Sequence, residues 1–170
     1  MSPRARARLQ GLAPVVAAHT RVLVLGSFPS AASLAAGEYY AHPRNQFWTI
    51  LSTCWGTDLR ALPYAQRLDE VRRRGLGIWD VYASCRREGS LDSAIEAAQP
   101  NDLTGLARRL PQLRAIAHNG AESARTMALT RTLAGAVVRL PSSSPANASW
   151  SLARKVDAWR ALFEQHGLSA

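Results

Sequence analysis

Four short polar segments, far apart along the chain, carry the side chains that could do chemistry: Ser27 with the loop that follows it, Asp80, Asn119, and the serine run Ser142 to Ser144. The first is the longest. Between Gly26 and Phe47 it holds Phe28, Pro29, Gly37, Tyr39, Tyr40, His42, Pro43 and Asn45, too aromatic for a disordered linker and too long for an idle connection. Combining Ser27 or Ser143 with His42 and Asp80 would give an esterase-like hydrolase, but no GxSxG elbow presents either serine as a nucleophile. The glycines after the first apolar run spell neither GxxxxGKS/T nor GxGxxG, which removes a P-loop and a dinucleotide fingerprint. Cys54 and Cys85 have no CxxC partner, and no Cys/His cluster has metal-ligand spacing, so neither an iron–sulfur cluster nor a structural zinc is expected. The two thiols read as core groups of a protein in a reducing compartment.

These segments need a scaffold that brings them together. Val22 to Leu25 is a run of branched apolar residues, the signature of a strand buried on both faces, and residues 21–26 are expected as the first strand. Gln46 to Trp55 follows as a helix with Phe47, Ile50, Leu51 and Cys54 on one face, and Pro63 to Arg74 as a second, charged outside and stopped by Gly75. Leu76 to Val81 is the second expected strand. Tyr82 to Gln99 is polar and reads as a loop passing into a short helix, after which Asn101 or Asp102 caps a helix to Leu110. Leu113 to Ala117 and Gly135 to Leu140 are the remaining strands, separated by a helix from Ala121 to about Thr132. A last helix, Trp150 to Gln165, turns Trp159, Leu162 and Phe163 inward, and residues 4–18 are expected as an amphipathic helix broken near Pro14. Strands alternating with helices predict one α/β domain over residues 1–170, with a parallel sheet covered on both faces. Ligands of such sheets bind beyond the carboxyl ends of the strands, where Ser27, Asp80, Asn119 and the serine run all fall.

The net charge of +9 and pI of about 10.9 favour polyanionic partners, nucleic acid ahead of an anionic membrane. Arginine carries the excess, since Lys155 is the sole lysine. Arg4, Arg6 and Arg8 ahead of Leu12 to Ala18 imitate a signal peptide, but Gln10, Gly11 and Pro14 interrupt it, so a cytoplasmic protein is expected. No later run approaches the length of a membrane span.

Taken together, VLVLGSFPS, GEYYAHPRNQFW, GIWDVYASCRREGSLDSAI, AIAHNG and RLPSSSPANA resemble the uracil-DNA glycosylase superfamily, and most closely its hypoxanthine-DNA glycosylase branch, the sixth family. The resemblance runs from about Arg21 to Trp159. It implies a three-layer α/β/α sandwich with a four-stranded parallel sheet in the order 2-1-3-4. It also implies a monomeric, monofunctional enzyme that flips a deaminated base out of double-stranded DNA and hydrolyses its glycosidic bond, with no metal or cofactor. An oxocarbenium-like sugar suits such a site, because the attacking water then needs only modest activation.

Residue by residue, the resemblance gives Asn45 the orientation of water, where the bare sequence offers only a helix cap. Asn119 is the second catalytic candidate, its amide matching a lactam edge such as N1–H and O6 of hypoxanthine, against a plain turn at Asn119-Gly120. Tyr40 would stack on the base, and Asp80, Ser27 and Phe28 would line it. Ser142, Ser143, Ser144 and Asn147 would grip the DNA backbone, with Arg86 and Arg87 as phosphate contacts or a solvated pair. His42 is a loop histidine held by hydrogen bonds. Two departures stand out: Phe28 replaces the water-activating Asp or Asn of other superfamily members, and Leu140 replaces the histidine of uracil-specific ones. These departures leave room for a non-catalytic nucleic-acid-binding module on the same fold. Lys155, beyond the site in the last helix, offers no amine for a lyase step.

Overall fold

The computed structural model describes residues 7–168. In chain order the first elements are β1 (Leu9–Gln10), β2 (Val22–Gly26), α1 (Ala31–Ala36), α2 (Phe47–Trp55), α3 (Tyr64–Arg73), β3 (Leu76–Asp80), β4 (Tyr82–Arg86) and β5 (Glu96–Pro100). Then come α4 (Leu103–Arg108), β6 (Ala115–Asn119), α5 (Ala121–Ala124), α6 (Met127–Thr130), β7 (Ala136–Leu140) and α7 (Leu152–Gln165).

Four strands form a parallel sheet in the order β3-β2-β6-β7, the expected 2-1-3-4 arrangement. β2 is central and buried at every position. Val22 and Val24 join a core with Phe47, Ile50 and Leu51 of α2 and with Trp159 and Phe163 of α7. Leu23 and Leu25 join another with Leu103 and Leu106 of α4. One strand feeds alternate side chains into two layers, which is why its sequence is continuously apolar. Register pairs Gly26 with Asp80 and Asn119 with Leu140, so the strands finish level at one edge. Helix caps follow local sequence: Asp102 Oδ1 accepts from Gly105 N, Ser151 Oγ from Arg154 N, and Gly56 closes α2 in the left-handed conformation.

Several elements differ from expectation, each for a tertiary reason. Of the expected helix over residues 4–18, residues 1–6 lie outside the described residues and the remainder is extended. β1 pairs with β4, and Val15 exchanges both backbone hydrogen bonds with Ile78 at the outer edge of β3. Pro14 and Gly11 weaken a helix there, and Tyr39 Oη and Trp79 Nε1 satisfy the carbonyl of Leu12 instead. Tyr82 to Gln99 contains two antiparallel strands, β4 and β5, rather than a loop and helix. Its polar residues hid them because they satisfy one another: Ser84 Oγ accepts from Arg8 and donates to Gln99. The helix after β6 breaks into α5 and α6, where Thr126 Oγ1 bonds back to Ser123 O. β6 begins two residues later than expected, which makes His118 and Asn119 strand residues. Within the first loop, α1 was not expected; Ser30 caps its start and Gly37 its end.

Candidate active site

The carboxyl edge of the sheet opens into a cleft of about 830 Å³, lined by residues from all four polar segments. Its floor is the end of β2. A side chain at Gly26 would strike the Asp80 carboxylate and crowd Tyr40 Oη, so only glycine lets the two approach.

Tyr40 stands at the centre. Its φ of +55° is a left-handed conformation that an aromatic residue rarely adopts, and the surroundings hold it there. Phe47 stacks on one ring face at 3.9 Å between centroids and 18° between planes. Asn119 Nδ2 donates to its hydroxyl at 3.2 Å, Ser33 Oγ accepts from the following amide, and Trp48 Nε1 donates to the preceding carbonyl. Burial raises the phenol's pKa, so it remains neutral. The ring lines the cleft with its Phe47 side already occupied.

Asn45 lines the same cleft. Its Oδ1 accepts from Phe47 N at 2.9 Å at the start of α2, as a capping group would. One Oδ1 lone pair and the whole Nδ2 group remain without a partner among the described residues. His42 is a structural neighbour: its carbonyl accepts from Asn45 N and its Nδ1 from Arg44 N.

Asn119 is committed more fully. Its Nδ2 hydrogens go to Tyr40 Oη and Ser143 Oγ, and its Oδ1 accepts from Ser143 N at 2.9 Å. Pairing with a lactam would need a free hydrogen beside the acceptor, and neither hydrogen is free. Asn119 ties the stacking tyrosine to the serine loop instead. Ser143 completes the tie through its carbonyl, which accepts from Gln46 N at 2.9 Å, and it is buried rather than available to phosphate. Ser142 and Ser144 each accept a loop amide hydrogen but keep their own hydroxyl hydrogens. Asn147 is a loop strut, with Nδ2 on Ser142 O and Oδ1 held by Ser149. Lys155 is closer to this machinery than its sequence position suggested. Buried, it donates to Gln46 Oε1 at 2.8 Å and Asn147 O at 3.2 Å, so its amine braces the loop from behind and does not line the cleft.

On the opposite wall Asp80 is 5% exposed, its side chain makes no hydrogen bond among the described residues, and Oδ2 is sealed from solvent. Burial first, then the Asp92 carboxylate, raise its pKa to about 7 against the opposing pull of Arg87. Ser27 Oγ donates to Asp92 Oδ1 at 2.5 Å, and Ser143 Oγ accepts from Asn119; neither serine is bonded to His42, so an esterase pair is not assembled. Phe28 is buried in the cleft wall with the Arg87 guanidinium 5.3 Å over its ring. That position corrects the expectation for Arg87, which is 6% exposed and neither a phosphate contact nor a solvated charge. Its Nη2 donates to Pro29 O at 2.6 Å and its Nε to Gly89 O at 2.9 Å, because a planar guanidinium can satisfy two loop carbonyls at once. Arg86, one residue earlier, is exposed at the end of β4.

A family model for the uracil DNA glycosylase superfamily matches residues 13–163. The chain belongs to this superfamily. A protein of Methanosarcina acetivorans named hypoxanthine DNA glycosylase is 36% identical, the match covering 91% of this chain and 97% of the relative. One of the same name from Methanosarcina barkeri is 34% identical, covering 92% and 98%. The solution structure of a candidate uracil DNA glycosylase from Methanosarcina acetivorans superposes with a TM-score of 0.83 at 34% identity, covering 95% of this chain and 99% of that one.

Within this superfamily fold, Arg139, Leu91 and Asp92 are among the cleft residues that escaped the sequence reading. Arg139 is the only charged side chain in β7 and is exposed on the rim, a signal visible in AVVRL as a break in an apolar strand. Leu91 and Asp92 lie between β4 and β5, inside the motif GIWDVYASCRREGSLDSAI but in a segment whose strands were themselves missed, so neither was singled out.

Proposed function

We propose that the chain is a DNA glycosylase that hydrolyses the N-glycosidic bond of deoxyinosine, leaving an abasic site. The observation that carries this reading is the convergence of Tyr40, Asn45, Asp80 and Asn119 on one cleft, in a superfamily fold whose named relatives are hypoxanthine DNA glycosylases.

The extruded base stacks on the face of Tyr40 away from Phe47, which is already fixed before DNA arrives and so costs no ordering on binding. Asp80, whose carboxyl has no hydrogen-bond partner among the described residues, meets the base edge. Near neutral pH it is divided between donor and acceptor forms, so it can accept a lactam N–H or donate to a carbonyl oxygen. Asn45 orients the hydrolytic water with the Oδ1 lone pair left over from Phe47 N, and water adds as the sugar becomes oxocarbenium-like. Asn119 acts as a positioning residue through Tyr40 and Ser143. Ser142 and Ser144 hydroxyls, with exposed Arg86 and Arg139, take phosphates. The only lysine is buried and engaged at Gln46 and Asn147, which supports hydrolysis without a lyase step. The protein acts as one monomeric domain on duplex DNA, and mispaired inosine is preferred because an unstable pair is cheaper to open.

A binding module without turnover is favoured by a different observation: Phe28 and Leu140 put only carbon where other superfamily members place water- and base-activating groups. Duplexes carrying deoxyinosine or deoxyuridine, incubated with the protein and treated with hot alkali, decide between the two. Strand breaks at inosine that vanish in Asn45→Ala while DNA binding persists support the enzyme. Binding without breaks at either base supports the module.

A further inference from the structure

Extruding a nucleotide leaves a hole in the duplex, and an apolar side chain that enters the stack offsets the cost of unstacking. The serine loop offers only compact groups: its apolar residues are Pro141, Pro145, Ala146 and Ala148, and although proline can enter a base stack, none has the reach of a leucine. Two large apolar side chains do stand exposed where they line the cleft, Leu91 at 59% and Trp150 at 36%. The Trp150 ring is covered by the Arg154 guanidinium at 4.2 Å. Leu91 is the most exposed large hydrophobic residue among the described residues.

Its backbone is held from both sides. Ser90 Oγ accepts from Ala31 N at 2.9 Å, and Asp92 Oδ1 accepts from Ser27 Oγ at 2.5 Å, so each neighbour of Leu91 is bonded to the first cleft loop. Ala94 N donates to Leu91 O, which closes a 3-10 turn directly after it. Arg87 fastens the same segment further back, between Gly89 O and Pro29 O. A leucine presented on a loop fixed at this many points cannot fold back onto the protein to hide its surface.

We propose that Leu91 is the wedge, entering the base stack from the segment between β4 and β5 as the damaged nucleotide leaves for the cleft. The buried Arg87 and the Ser27–Asp92 bond then gain a purpose: they stiffen the mount of the wedge. This inference rests on the glycosylase reading above.

The test uses one deoxyinosine strand, free and in duplex, with 2-aminopurine as the neighbour of the inosine. For Leu91→Ala, excision from duplex falls by about tenfold to a hundredfold, while excision from the single strand stays within about twofold of wild type, since an unpaired strand has no stack to fill. Leu91→Met restores most of the duplex rate. The 2-aminopurine fluorescence that rises when wild-type protein binds the duplex does not rise with Leu91→Ala. Recorded in the Asn45→Ala background, that fluorescence reports insertion without chemistry, so its outcome stands apart from whether the protein excises bases. Duplex excision by Leu91→Ala at the wild-type rate, equal loss on both substrates, or a duplex-specific loss in Trp150→Ala alone would overturn the assignment.

Discussion

Two polar clusters lie on neighbouring residues of β6 and are built on opposite terms. His118 is fully buried, its Nδ1 2.7 Å from Ser123 Oγ and its Nε2 2.8 Å from Thr130 Oγ1. Ser123 spends its hydroxyl hydrogen on Leu25 O, so His118 Nδ1 is the donor and Nε2 accepts from Thr130. Every hydrogen-bonding position of that imidazole is used. The cleft beside Asn119 is different, because among the described residues Asp80 makes no side-chain hydrogen bond and Asn45 keeps an unused lone pair and amino group. A buried polar group left without a partner costs stability, so a saturated cluster marks architecture and an unsaturated one marks a place where something else binds.

Substitution at Asn45 tests the distinction most severely. If its spare lone pair orients water, Asn45→Ala lowers single-turnover excision of deoxyinosine by about a hundredfold to ten thousandfold. The cap it gives Phe47 N is worth only about 1 kcal/mol, so the variant remains folded by circular dichroism and still binds duplex DNA. A rate within a few fold of wild type would move Asn45 to the architectural side.

The two clusters also respond to pH with opposite sign. Asp80 has its carboxyl pKa raised from 3.8 to about 7, so the folded state holds the proton more tightly and stability falls as pH climbs through that window. His118 has its pKa lowered by burial from 6.5 to about 4, so stability falls as pH drops through that window. At full effect each amounts to roughly 3–4 kcal/mol, and between pH 4 and 6.5 they nearly cancel. Asp80→Asn therefore stabilises the protein most at and above pH 7 and leaves a curve that rises with pH, measured by urea denaturation across pH 4–8. The same variant loses the ionisation near pH 7 from its kcat/KM profile. His118→Gln is expected to cost about 1–3 kcal/mol through broken buried hydrogen bonds and to leave the Asp80 slope unopposed, so that stability falls as pH rises, opposite in sign to Asp80→Asn.

How much of this was legible in the sequence follows from where each interaction partner sits. β2 could be read because burial on both faces writes itself as VLVLG, and α2 and α7 because their apolar faces repeat at helical spacing. β4 and β5 could not, since the hydroxyl of buried Ser84 finds its partners in Arg8 and Gln99, which lie 76 and 15 residues away. The cleft residues were recognisable as motifs, yet motifs do not record hydrogen-bond economy. Asn119 and Asn45 look alike in a string, and only the coordinates separate the carboxamide that is spent from the one that is not. Adjacent Arg86 and Arg87 divide in the same way, one exposed and one serving two carbonyls.

The smallest expected effects give the sharpest version of the comparison, because they come from consecutive serines. Both donate their amides and accept at Oγ and at the carbonyl, but Ser143 is fully buried with its Oγ accepting from Asn119 Nδ2, whereas Ser144 is half-buried in the cleft lining with its Oγ accepting from the loop amide of Ala146. Ser143→Ala strands one Asn119 hydrogen, so it should cost about 1 kcal/mol of stability and lower the thermal midpoint by a few degrees. Ser144→Ala should leave the midpoint unchanged and weaken duplex binding by about two- to fivefold, as loss of one neutral phosphate contact would. Because serine carries no charge, the slope of log affinity against log salt should not change in either variant, whereas Arg139→Ala should lower it by about one. Equal effects of the two serine substitutions on stability would mean that burial against Asn119 does not separate the architectural serine of this loop from the ligand-facing one.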